Sequence, residues 1–200
     1  MSDIRVNNII IICGNRGTGK TDFLKAFIQN AKKNFDKIII TDVFKNPAWR
    51  NMKTWDNPNG IKETIQDIKP DKVKYLKRGI KHVWDSDADK LMDCIDKDVM
   101  DTLVVMEDGS KYFDTSMTKT QTKITLDTKQ KNIDLVIAFH GVTFVPLKLI
   151  RIADFIYLKK SGDSPKVIAD RLPTAPNALK IAQEIERSKD PYITKIIELN

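Results

Sequence analysis

Cysteine is scarce in this chain: Cys13 and Cys94 are the only two among 200 residues. Two thiols cannot make a multi-bridge framework. One closes an apolar run and the other falls in a helix-patterned segment, which marks both as reduced and structural. Long hydrophobic runs are missing as well. No stretch nears the ~20 apolar residues of a spanning helix, so no membrane span is expected. The opening Met-Ser-Asp-Ile-Arg lacks the basic, apolar and small-residue blocks of a secretory signal, and a cytoplasmic protein is the expectation. Internal repeats, low-complexity tracts and a convincing linker are also lacking. Residues 1–200 therefore read as a single domain, long enough for a sizeable core but with little room for a second. Nor does one charge dominate: 34 basic against 27 acidic side chains leave +7, which is compatible with nucleic acid but does not establish it.

What the chain does hold is an alternation of strand and helix signals. Ile9, Ile10, Ile11 and Ile12 lead into Cys13 as a continuous β-branched run, the pattern of a parallel strand covered on both faces. Lys37–Val43 is a second such strand, followed by an irregular stretch carrying Pro47, Trp49, Trp55, Pro58 and Gly60. Further on, the pattern predicts a short helix over Ile61–Ile68, an edge strand over Val73–Lys77 and a turn at Gly79. Asp87–Asp98 reads as a helix turning Leu91, Met92, Ile95 and Val99 inward. Leu103–Met106, Leu135–Phe139 and Phe155–Leu158 read as three more strands. Ala175–Arg187 reads as a C-terminal helix with Leu179, Ala182 and Ile185 on one face. Such alternation points to an α/β fold, a mostly parallel β-sheet flanked by helices.

Directly after the first strand stands Gly14-Asn15-Arg16-Gly17-Thr18-Gly19-Lys20-Thr21, a complete Walker A phosphate loop. Its placement is as informative as the match. The strand aims the loop, and Phe23, Leu24, Phe27, Ile28 and Ala31 put an apolar face on the helix that follows. Gly14, Gly17 and Gly19 let the backbone turn so that its N–H groups face a triphosphate at the helix N-terminus. Lys20 is placed to reach the β- and γ-phosphates, and the Thr21 hydroxyl to hold Mg²⁺. ATP and Mg²⁺ are the expected cofactors.

The second element is Leu103-Val104-Val105-Met106-Glu107-Asp108, four apolar residues ending in two carboxylates, the Walker B arrangement. By position, Glu107 belongs near the metal, through a water, and Asp108 polarises the attacking water. The common order is Asp then Glu, so Asp108 is one methylene shorter than the residue usual there. The plain alternative is a strand ending in a solvated acidic turn. His140, closing Leu135–Phe139, occupies the place of a polar sensor for the γ-phosphate or the water; a strand-end histidine without that role is its alternative. His82 receives no role.

Together, the phosphate loop, the strand ending Glu107-Asp108, His140 and the later Val145-Pro146…Arg151…Asp154-Phe155-Ile156-Tyr157-Leu158 resemble the FtsK–HerA group of ATPases. Within it the chain looks most like viral and phage genome-packaging ATPases, with filamentous-phage assembly ATPases as close relatives. The similarity covers about residues 8–160 and leaves a C-terminal helix and tail over 161–200. The resemblance implies a RecA/ASCE-like core, a homo-oligomeric ring (often a hexamer) and ATP-driven movement of double-stranded DNA. Capsid or portal proteins are further implied partners, with host cytoplasm or virion as the location. Members usually close the sensor strand with Gln, so His140 is a departure, as is the Glu-Asp order. Many also use an arginine from the neighbouring subunit, for which Arg50, Arg78 and Arg151 are candidates.

Two basic stretches are candidate DNA contacts. Between Gly109 and Lys131 lie Lys111, Lys119, Lys123, Lys129 and Lys131 against Asp114 and Asp127, read as a polar helix. Lys159-Lys160 is the other; a solvated surface explains either equally well. Asp85-Ser86-Asp87-Ala88-Asp89 has the spacing of a calcium loop, but Lys90 stands where glycine is needed, and a helix N-cap accounts for it better. Trp49 and Trp55 could stack on a base, though packing is the commoner use. Asp42 either contacts metal-bound water or caps its loop. Three other functions remain open: a filamentous-phage-type assembly or secretion ATPase, a nucleotide-gated assembly protein with weak hydrolysis, and a nucleotide kinase. A kinase wants a lid with several arginines, and the region Lys159–Arg171 has one; the Asn-Lys-x-Asp signature of GTPases is absent.

Overall fold

Consecutive isoleucines make the first two strands, β1 (Ile9–Cys13) and β2 (Lys37–Asp42), with β1 buried along its whole length. This computed structural model describes residues 7–50, 52–56 and 62–199. Between the two strands, α1 (Lys20–Ala31) starts on the last glycine of the phosphate loop and turns Leu24 and Ile28 inward. After β2 come the short helix α2 (Pro47–Arg50), an antiparallel pair β3 (Lys53–Asp56) and β4 (Lys62–Thr64), and strand β5 (Gln66–Ile68). A 3-10 turn over Pro70–Tyr75 leads to β6 (Gly79–Trp84), α3 (Ala88–Asp98) and β7 (Thr102–Met106). The Asp87 carboxylate caps α3 by accepting from the N–H groups of Asp89 and Lys90, so the acidic run there is a helix start and not a calcium loop. Helices α4 (Lys119–Leu126) and α5 (Thr128–Lys131) precede β8 (Ile133–Phe139). The remainder is α6 (Leu147–Ile150), β9 (Phe155–Leu158), α7 (Pro165–Arg171), α8 (Ala178–Arg187) and β10 (Lys195–Glu198).

Among the described residues, eight strands form one sheet in the order β10-β9-β1-β8-β7-β2-β6-β5. Every neighbouring pair is parallel except β10 on β9. The order matters for the site: β8 is inserted between the phosphate-loop strand β1 and the acid-bearing strand β7. Register levels their ends, with Cys13 beside Phe139 and Met106 beside Ile137. Gly14, Glu107 and His140 therefore leave the same edge of the sheet, outside the carboxyl ends of its strands, where open α/β sheets bind ligands.

Side chains alternate between two cores. Ile10, Ile12, Ile38, Ile40, Leu103, Val105 and Val136 pack with Leu24 and Ile28 of α1 and Trp49 of α2. Ile11, Val104, Met106, Leu135 and Ile137 face the other way, onto Leu91 and Ile95 of α3, Ile124 of α4, and Ala182 and Ile185 of α8. Fully burying one such aliphatic side chain contributes about 1.5–3 kcal/mol, so a single Leu24→Ala cavity is expected to cost about 2–5 kcal/mol. Among the described residues no helix is long and apolar enough to cross a membrane.

Several expectations need correction. The described part of Ile61–Ile68 is not a helix but β4 and β5, which gain their hydrogen bonds from β3 and β6; Ile61 itself lies outside the described residues. Val73–Lys77 is not an edge strand, because Pro70 opens a 3-10 turn in which Val73 alone is buried. Gly79 begins β6 instead of making a turn, pairing with Lys37, and β5 is the sheet edge. The last long helix begins at Ala178, and its inward face is Ala178, Ala182 and Ile185, while Leu179 is exposed. Helix α7 and strand β10 were not anticipated.

Candidate active site

The phosphate loop is shaped by two glycines in the left-handed region, Gly17 at φ 83° and Gly19 at φ 75°, where an L side chain is strained. Gly14 is required for a different reason. A Cβ there would sit 2.8 Å from both Lys159 Cβ and Thr18 Oγ1. The loop is tied to its surroundings by Gly14 N–H to Phe139 O (3.1 Å) and Asn15 N–H to Lys160 O (2.7 Å). Asn15 Oδ1 also accepts from Gly162 N–H at 3.2 Å. The Lys20 ammonium donates to the carbonyls of Gly14 (2.6 Å) and Asn15 (3.0 Å). Burial holds the Lys20 pKa below its ordinary value despite the opposing pull of Asp108, Cys13 and Glu107.

Glu107 is held from three directions. Thr21 Oγ1 donates to Oε1 at 3.0 Å, Asn46 Nδ2 donates to the same oxygen at 2.8 Å, and Trp49 Nε1 donates to Oε2 at 2.5 Å. Trp49 is fully buried, so its ring packs in the core while its N–H fixes a carboxylate. Asn46 is itself set by Asp42: the Asp42 carboxylate accepts from the N–H groups of Phe44 and Asn46, and Asn46 Oδ1 accepts from Ala48 N–H at 2.9 Å to start α2. Asp42 thus caps the loop whose next residues hold Glu107.

Behind Asp42 lies His82, wholly buried, with Nδ1 2.8 Å from Asp67 Oδ1 and Nε2 3.3 Å from Asp42 Oδ2. Burial alone would lower the His82 pKa, but the hydrogen bonds to Asp42 and Asp67 outweigh it and hold the pKa above the ordinary 6.5. Burial likewise pushes Asp42 up, yet the His82 bond and the two amides bring it below the usual carboxylate value. A buried charge is tolerated here because both nitrogens are paired.

Asp108 accepts from Ser110 Oγ at 2.6 Å, and its Oδ2 stands 4.0 Å from His140 Nε2. Close contact between two strands produces this meeting. A Cβ on Gly109 would lie 2.5 Å from Phe139 Cζ and 2.7 Å from Ile137 Cγ2, so the chain leaving β7 hugs the end of β8 and brings Asp108 beside His140. The loop after His140 is fixed by Asp163, which accepts from Val142 N–H and Thr143 Oγ1, each at 2.6 Å.

A cleft of about 760 Å³ is lined by Arg16, Gly17, Gly19, Lys20, Thr21, Asn46, Glu107, Asp108, His140 and Tyr192, among others. Every charged or polar side chain expected from the sequence to do chemistry is in it, namely Lys20, Thr21, Glu107, Asp108 and His140. Thr21 and Glu107 present hard oxygens 3.0 Å apart, which suit Mg²⁺, an ion usually held by one or two protein oxygens and completed by phosphates and water. No group of three or more His, Cys, Asp or Glu side chains placed to hold a metal ion occurs among the described residues. Sequence reading missed Asn46, Asp163 and Tyr192; Trp49 packs in the core, the commoner of its two expected uses, and its bond to Glu107 is an addition to that. The irregular stretch after β2 was the available signal for Asn46 alone.

The basic segments are less free than expected. Lys123 and Lys131 both bind the Asp96 carboxylate, at 2.8 and 2.9 Å. Lys159 is buried and donates to Tyr192 O and Thr194 Oγ1, and Lys160 donates to Ser188 O, so this pair is not a surface patch. Arg78 and Arg151 are exposed and lie outside the cleft lining; the side chains of Arg50 and Trp55 fall outside those described.

No protein-family model matches the chain, and no curated protein matches it. Solved structures do. The genome packaging NTPase B204 from Sulfolobus turreted icosahedral virus 2, in complex with sulfate, is similar over 98% of this chain and 94% of its own, with TM-score 0.73 and 15% identity. Its complex with ATP-gammaS gives TM-score 0.72 at 15% identity over 97% and 93%. The N-terminal domain of zonular occludens toxin from Neisseria meningitidis follows with TM-score 0.53 and 15% identity over 98% and 96%. At these identities what is shared is the fold, a mostly parallel α/β sheet flanked by helices.

Proposed function

We propose that this chain is an ATP-hydrolysing motor that moves double-stranded DNA in viral or phage genome packaging and works as a homo-oligomeric ring. The observation that carries this reading is the convergence on the phosphate loop of two carboxylates with different surroundings: Glu107, immobilised by Thr21, Asn46 and Trp49, and Asp108, beside His140. The likeness in fold to a viral genome packaging NTPase supports the packaging role, and with it DNA, neighbouring subunits and capsid or portal proteins as partners.

In this reading the loop N–H groups and Lys20 hold the triphosphate at the start of α1. Thr21 and Glu107 would hold Mg²⁺, which neutralises phosphate charge when bound. Asp108 accepts a hydrogen bond from the attacking water and takes its proton, a role that in general base catalysis contributes ~10²–10⁴-fold. His140 hydrogen-bonds the same water or the γ-phosphate, in the place where charge develops. The immobile Glu107 leaves the partly exposed Asp108 as the base. Exposed Lys111, Lys119 and Lys129 remain to meet DNA phosphates without reading sequence, and Arg78 or Arg151 to reach a neighbouring subunit's cleft. A kinase reading is disfavoured by Arg171, the one arginine of the stretch Lys159–Arg171, whose guanidinium donates to the Val145 carbonyl.

The test is steady-state ATP hydrolysis by wild type and Asp108→Ala, with and without double-stranded DNA. DNA-stimulated turnover that disappears in the variant is expected. ATP binding without turnover in either condition would replace the motor with a nucleotide-gated assembly protein, and phosphate transfer to a nucleotide with a kinase.

A further inference from the structure

The acids and the histidine occupy only one side of the phosphate loop. In the strand order β10-β9-β1-β8-β7, His140 and Glu107-Asp108 follow β8 and β7. On the opposite side, across β9, stands Tyr192, three residues before β10. Its ring carbons Cδ1 and Cε1 lie 3.0 and 3.6 Å from where a Gly19 side chain would begin, and the residue, part of the cleft lining, is 63% exposed. In the nucleotide reading, a triphosphate with its terminal phosphate at Asp108 runs back over the loop toward this side of the cleft. Phe44, also exposed in the cleft, follows β2 and so stands on the side of the acids.

The exposed ring rides on a fixed backbone. Tyr192 N–H donates to Asp190 Oδ1 at 2.8 Å. Lys159, 3% exposed, donates from Nζ to Tyr192 O at 3.1 Å and to Thr194 Oγ1 at 2.7 Å. The same Lys159 packs its Cβ where Gly14 has none, so one buried lysine braces the first loop glycine and the segment that carries the ring. An aromatic ring that is already ordered loses little freedom on binding a flat partner.

We propose that Tyr192 is the platform on which the nucleobase stacks, making the segment between α8 and β10 the base-binding wall of the cleft. The inference rests on the nucleotide reading above and adds the residue that recognises the base. Stacking is tolerant of base identity because every base has a π-face.

Affinities of wild type, Tyr192→Phe and Tyr192→Ala for MgATP and for magnesium tripolyphosphate, measured by calorimetry, test it. Tyr192→Ala should bind ATP about 5- to 150-fold more weakly, the range for loss of one base–aromatic stack, with tripolyphosphate affinity kept and Tyr192→Phe near wild type. ATP affinity unchanged in Tyr192→Ala overturns the proposal, and so does an equal loss for ATP and tripolyphosphate, which would make the residue a prop for the loop. Wild type that binds neither overturns the nucleotide reading itself, and this one with it.

Discussion

The indole N–H of Trp49 meets the Glu107 carboxylate at 2.5 Å, joining a fully buried ring of the α1-side core to the acid that faces Thr21. A hydrogen bond to a charged group contributes about 1.5–3 kcal/mol. Trp49→Phe should therefore lower unfolding free energy by at least that range, read by urea denaturation, and lower ATP turnover more than ATP binding. A variant with wild-type midpoint and turnover would show that the contact does not position Glu107.

Substitutions at Asp108 should separate chemistry from binding. Asp108→Asn is expected to lower kcat about 10²- to 10⁴-fold with little change in ATP affinity. Asp108→Glu restores the methylene that the usual order supplies and should keep turnover. If Asp108→Asn turns over normally, the base lies elsewhere and Glu107 becomes the candidate.

Gly109 and Gly17 should fail for different reasons. Gly109→Ala forces a methyl against Phe139 and Ile137 at 2.5–2.7 Å, an overpacking expected to cost about 1–3 kcal/mol and to move Asp108. Gly17→Ala meets nothing within 4 Å but holds φ at 83°, a strain of about 1–2 kcal/mol. Thermal melts of the two, with matched turnover assays, check whether the first loses more activity per degree lost.

The buried Asp42–His82–Asp67 group makes stability depend on pH. His82 has a folded pKa above its ordinary 6.5, so its contribution is complete below pH 6.5 and is lost as pH rises through the folded value. Asp42 has a folded pKa below its ordinary 3.8, so its contribution is present above pH 3.8 and is lost as pH falls through the folded value. Lys45, 3.6 Å from Asp67, adds positive charge on the outer side. The denaturation midpoint of wild type should fall with rising pH above 6.5, and that slope should vanish in His82→Gln. An unchanged slope would assign it to other groups.

The sheet's centre was legible because strands buried on both faces are written as unbroken apolar runs, as in Ile9–Ile12 and Leu135–Phe139. The phosphate loop was legible because backbone strain restricts it to glycine at Gly17 and Gly19. Edges were not. Val73–Lys77 alternates like a strand, yet Pro70 commits that chain to a tight turn. β6 was hidden because His82, polar by type, is buried and satisfied by two aspartates from other strands. Asn46 and Trp49 reach Glu107 only through tertiary placement, and no local pattern encodes a partner some sixty positions away.

Strand β1 has no sequence neighbour in the sheet: its ladders run to β8 and β9, with Ile9 beside Leu135 and Ile10 beside Phe155. During synthesis its four isoleucines are made long before anything can pair with them, while β2, β6 and β7 can already associate. Such distant pairing slows folding, because the loop must close before its contacts can form. Until β8 arrives, this β-branched run has no strand to pair with, and unpaired apolar strands are where copies of a chain associate. The strand that aims the phosphate loop is then paired only after most of the sheet has been made.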